Sequence, residues 1–198
     1  MFTAGFGNML IEAPLVFLVT RELQASYTMS IMITMVIPFA VSLVALPLWA
    51  LYLDRVHVAQ FRARQSILWV LAQALTLVGA SLGSFTWLMI GRFIMGVARG
   101  GGTLAWQLGH NDFAKPDQLS AYMGIHVTLT GLRGAIAPFL GMALYAGIPS
   151  FSWNGIGSNI FLVAALVSAC AGIGFYRLFI ALRKANLINI EARMSNGT

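Results

Sequence analysis

Residues 31–53 read IMITMVIPFAVSLVALPLWALYL, an uninterrupted run without a single charge, closed by Asp54 and Arg55. At about 1.5 Å per residue such a run makes a helix roughly 35 Å long, enough to cross a hydrocarbon layer of about 30 Å. Pro38 and Pro47 lie inside it. Each proline removes a backbone N–H and frees a carbonyl, which a membrane helix tolerates only where neighbouring helices take up the freed group. The stretch therefore predicts a kinked membrane helix packed against others.

The rest of the chain agrees. Of 198 residues, 59% are hydrophobic and 9% charged, against about a quarter charged in a soluble domain. A soluble globular protein is excluded. At about 20 apolar residues per span the length allows roughly six or seven helices, and the pattern predicts spans at 2–20, 31–53, 66–82, 85–104, 119–145 and 158–176. The expected fold class is an all-α membrane protein, a six-transmembrane-helix bundle over residues 1–177. Residues 178–198 form a tail, either a basic amphipathic helix along the headgroups or an overshoot of the last span. The first run has no basic n-region and no small-residue cleavage site, so it reads as a membrane helix rather than a signal peptide.

The net charge of +6 sits at the ends of apolar runs, where it sets orientation, and so calls for no nucleic acid. Nine of the 12 basic residues, among them Arg55, Arg62, Arg64, Arg99, Lys115 and Arg193, map to the side of the termini, and Arg21 to the other. This bias predicts both termini in the cytoplasm of a bacterial inner or similar membrane.

Intramembrane charge is expensive, about 2.5–3.5 kcal/mol per group on insertion scales, and marks function or pairing. Glu12 is the one carboxylate deep in an apolar run, with Asn8 one turn earlier on the same face. It is a candidate for proton coupling or a cationic solute, or an ion-pair partner for Arg92 or Arg133. Arg133, close to His126, Thr128 and Thr130 in the sequence, is a candidate for an anionic solute or a satisfied structural base. His57, His110 and His126 lack ligand spacing, and Cys170 lies alone in an apolar run, so no metal, cofactor or internal disulfide is expected. His110, Asn111 and Asp112 read as a helix cap before the fifth span. No phosphate loop, nucleophile elbow or catalytic carboxylate pair appears, which argues against an enzyme.

Three motifs narrow the class. Asp54-Arg55, with Arg62 and Arg64 following, lies between the second and third spans; Arg92 is followed by Gly96 and Gly100 on one face of the fourth; Gly131, Gly134, Pro138 and Gly141 line the fifth. In order and at these spans they resemble half of a major facilitator superfamily transporter. The loop pattern of that family is Gly-x-x-x-Asp-Arg-x-Gly-Arg, and here Ala50, His57 and Val58 replace three of its members. The degenerate loop resembles the second half of the family more than the first.

What the resemblance implies is a six-helix unit that moves a small solute by alternating access once joined to a second half or to its own copy. The alternative is a non-transporting subunit derived from such a half and packed in a larger energy-converting or pigment-bearing membrane complex. The lipid bilayer is a partner under both.

Overall fold

The structure, a computed structural model, describes residues 2–109, 113 and 116–185. The cap expected at 110–112, Lys115, and the tail beyond residue 185, with Arg193, lie outside these residues. Six helical runs fill the described chain. The first, α1, comes in three pieces, Phe2–Leu10, Glu12–Phe17 and a π-helical turn at Leu18–Glu22. The second, α2, covers Tyr27–Leu53 and contains a π-helical turn at Met32–Val36. Then follow α3 (Val58–Leu82), α4 (Phe85–Gln107), α5 (Leu119–Ala146) and α6 (Asn159–Lys184).

Local chemistry explains the joints. Ser26 caps α2, its side chain accepting from Met29 N at 3.3 Å. His57 caps α3 in the same way, Nδ1 accepting from Ala59 N at 3.1 Å. That cap lets α3 begin at Val58, not near residue 66 as the charge of 54–65 suggests. The polar residues Arg62 and Gln65 are helical and turned inward. At the other end of α3, Gly83 adopts φ +61°, the left-handed conformation that glycine enters without a Cβ penalty, and the chain reverses directly into α4.

Tyr27–Leu53, Val58–Leu82, Leu119–Ala146 and Asn159–Lys184 are each long and apolar enough to cross a membrane. The other two runs are less regular, α1 being divided at Ile11 ahead of Pro14, and α4 carrying Arg92, Arg99 and five glycines. Among the described residues the only β feature is an isolated bridge between Ile148 and Trp153 in the turn before α6. The chain is an all-α bundle and an integral membrane protein.

Helices adjacent in space are mostly not adjacent in sequence. The bundle runs α2 on α4, α4 on α3, α3 on α6, α6 on α1 and α1 on α5, while α2 barely meets α3 and α5 barely meets α6. Exchanging α1 with α4, α2 with α5 and α3 with α6 returns the same set of pairs, the signature of two three-helix units folded as a repeat. Leu10, Ile11, Leu15, Ile33, Leu88 and Phe161 form the shared core, all nearly inaccessible. The outer faces of α2 and α5 show Val44, Leu48 and Phe139, a surface suited to lipid or to another apolar protein face.

Water gives no hydrophobic drive between helices inside lipid, so close backbone approach must supply the packing. A Cβ at Gly96 would sit 2.8 Å from the Pro38 carbonyl oxygen, and one at Gly100 2.8 Å from that of Ser42. These two glycines are what bring α4 onto α2. On the opposite flank a Cβ at Gly141 would overlap the Leu10 carbonyl outright. Leu10 is the residue four before Pro14, and its oxygen therefore lacks the usual helical donor.

Candidate functional site

The proline break in α2 explains the most deeply buried charge among the described residues. Pro38 has no N–H, so neither Thr34 O, its α-helical acceptor, nor Ile33 O, its π-helical one, receives a bond from it. Arg92 of α4 supplies both. Its Nε donates to Ile33 O at 3.1 Å and its Nη2 to Thr34 O at 3.1 Å. The same Nη2 meets Glu12 Oε2 of α1 at 3.4 Å. One guanidinium thus ties α4 to the broken turn of α2 and to α1. Arg92 is fully buried, whereas the Glu12 side chain is 46% exposed.

That exposed face of Glu12 looks into a cavity of about 710 Å³ inside the six-helix unit. Gly5, Asn8 and Glu12 line it from α1, Arg62, Gln65 and Trp69 from α3. Arg99, Trp106 and Met95 contribute from α4, His126 and Arg133 from α5, and Phe175 from α6. The volume falls within the usual range for small-molecule sites, roughly 300–1,000 Å³. A polar lattice holds the walls: Gln73 Nε2 donates to Asn8 Oδ1 at 2.8 Å, Gln65 Nε2 to Ala98 O at 2.6 Å, and Trp106 Nε1 to Thr130 Oγ1 at 3.2 Å.

Of the residues singled out in the sequence, Glu12, Asn8, Arg133 and Arg62 come together at this cavity. Arg62 does so as a helical residue, its Nη1 donating to Gln65 Oε1 at 3.3 Å. Arg92 lies just behind Glu12. Asp54 and Arg55 do not join the site; both are exposed at the end of α2. The ends of α2 and α3 are fastened instead by Arg64, whose Nη1 donates to the Tyr52 hydroxyl at 2.5 Å beside the rings of Trp49 and Phe61.

The α5 glycines, expected to serve close contact alike, differ. Gly141 packs on the Leu10 backbone, while a Cβ at Gly134 would meet only Met9 Sδ at 3.9 Å and one at Gly131 nothing within 4 Å. Pro138 lies inside α5 between Gly134 and Gly141.

Sequence reasoning passed over Gln65, Trp69 and Gln73, which recur every fourth residue and so share one face of α3. Arg99, read from the sequence as an orientation charge, shares a face of α4 with Thr103 and Trp106, four and seven residues on. Polar and aromatic groups at helical period within an otherwise apolar span are the signal that identifies them.

The geometry, a membrane bundle of paired three-helix units around a cavity lined by polar and aromatic side chains, has a counterpart in sequence comparison. No curated protein and no solved structure matches the chain. The family model described as Major Facilitator Superfamily does, over residues 1–195. The resemblance first seen in three short motifs thus extends along nearly the whole length, and the chain belongs to the Major Facilitator Superfamily, a family of membrane transporters.

Proposed function

We propose that this chain is one six-helix half of a transporter that moves a small solute by alternating access, completed by a second half or by another copy of itself. The observation that carries this reading is the cavity of about 710 Å³ that reaches Glu12, Asn8 and Arg133 within the bundle. Transport needs solvent to reach intramembrane polar groups, and a packing subunit has no use for such a space. The apolar outer faces of α2 and α5, with Val44 at 74% and Phe139 at 79% exposure, fit a companion half on one side and lipid on the other.

In this reading all six helical runs cross the membrane, both termini lie in the cytoplasm, and the degenerate Asp54-Arg55 loop marks a C-terminal half. The broken turns of α1 and α2 are the natural places for bending, since backbone bonds there are already given up to Pro14 and Pro38. Arg92 holds one of them, while Glu12 and Arg133 face the solute path.

Reconstitution tests it. Purified chain in proteoliposomes, alone or with a co-purifying half, is expected to give saturable solute flux that falls in Glu12→Gln and Arg133→Gln. A complex of fixed stoichiometry with unrelated subunits, and no flux, would mean that the chain is a structural subunit.

A further inference from the structure

Resting on the cavity as the solute site, we infer that the solute is a small organic carboxylate and that Arg133 is the group that holds it. The cavity's charge is lopsided. Among the described residues Arg62, Arg99 and Arg133 line it against one carboxylate, Glu12, and Glu12 is already engaged from behind by Arg92 at 3.4 Å. Two of the three remaining arginines have an outlet. Arg62 donates to Gln65, and Arg99 is exposed.

Arg133 has neither. It is 7% exposed, and its Nε has no hydrogen-bond partner among the described residues. The guanidinium faces the cavity without an acceptor from the described residues, so an entering anion supplies the partner that the protein does not. The backbone of α1 leaves space for this group, because a Cβ at Gly5 would overlap the guanidinium. A planar fork of N–H donors matches the two oxygens of a carboxylate.

The walls argue for an organic anion over an inorganic one. Trp69, Met95, Trp106 and Phe175 line the same space. They cover an apolar body well and replace none of the water that a bare phosphate would shed. A cation would meet three arginines, with the one carboxylate of the described lining already paired.

The test uses three probes of one shape and different charge, benzoate, benzamide and benzylammonium, titrated into the full chain in lipid nanodiscs. Binding is followed by the fluorescence of Trp69 and Trp106 and by the unfolding temperature. Benzoate is expected to saturate at least tenfold more tightly than the other two. Arg133→Gln should abolish that preference, and Gly5→Ala, which displaces the guanidinium without removing it, should reduce it even if the first variant folds poorly.

Benzamide or benzylammonium binding as tightly as benzoate overturns the carboxylate inference and leaves the cavity a solute site. Benzoate binding that survives both substitutions overturns the role of Arg133. Silence from all three probes overturns the carboxylate inference, while the solute-site reading then stands or falls separately on the proteoliposome flux.

Discussion

Arg92 and Arg133 are the same side chain in the same bundle, both withdrawn from their surroundings, and they differ in what their neighbours lack. Arg92 lies on α4 where Gly96 and Gly100 bring α2 close enough for its two orphan carbonyls to be reached, and Glu12 of α1 adds a third partner, so that Nε and Nη2 are engaged and only Nη1 has no partner among the described residues. Arg133 lies on α5 beside Gly5, with no carbonyl freed toward it and its Nε unpartnered among the described residues. A buried base that bridges three helical segments is a fastener. One that bridges none is, in the proposed reading, a place for a ligand, so burial alone does not separate the two roles.

The comparison can be broken first at Arg92. Arg92→Ala strips two carbonyls and a carboxylate of their donor at once, and a loss of about 3–5 kcal/mol is expected from orphaning groups of this kind. Unfolding in mixed micelles should show it as the largest drop of any single substitution discussed. An Arg92→Ala protein as stable as its parent would remove the fastener from the account.

Next comes the flank opposite. Gly141→Ala drives a methyl group into the Leu10 backbone, and overpacking at a rigid contact costs typically about 1–3 kcal/mol. The same assay should register a smaller but clear loss, with α1 displaced from α5. A crosslink between introduced cysteines on those two helices would report the displacement directly.

Arg133→Gln should then separate the two arginines by function. Removing an uncompensated buried charge is expected to leave stability within about 1 kcal/mol or to raise it, while solute flux in proteoliposomes falls at least tenfold. Loss of folding on the scale of Arg92→Ala would show instead that Arg133 is a fastener too. The smallest effect belongs to Gly134→Ala, where the new methyl group meets only Met9 Sδ. Alanine in place of an unconstrained helical glycine should stabilise by about 0.5–1 kcal/mol, and a loss comparable to Gly141→Ala would undo the distinction between the two glycines.

Several of these features were visible in the chain itself. The span at 31–53 and its two prolines, the reversal at Gly83, and the glycines one and two turns beyond Arg92 are local patterns, and local patterns are written in order along the chain. The start of α3 was not, because a stretch with Arg62, Arg64 and Gln65 reads as a loop unless a polar cavity exists to receive it. Nor did the Asp54-Arg55 motif point to what fastens the end of α2 to α3, which is Arg64 on the hydroxyl and ring of Tyr52.

By itself, then, the sequence determined that this protein lives in a membrane as a bundle of helices, because 9% charge and long apolar runs leave no soluble alternative. It also marked where the backbone could bend and where helices could approach, since proline and glycine act at their own positions, but of the α5 glycines only Gly141 is used for close contact among Gly131, Gly134 and Gly141. Tertiary structure alone decided which arginine closes the break at Pro38. Ile33 and Arg92 are 59 residues apart, and only the packing of α2 on α4 brings a donor to an acceptor that each helix, taken separately, leaves unsatisfied.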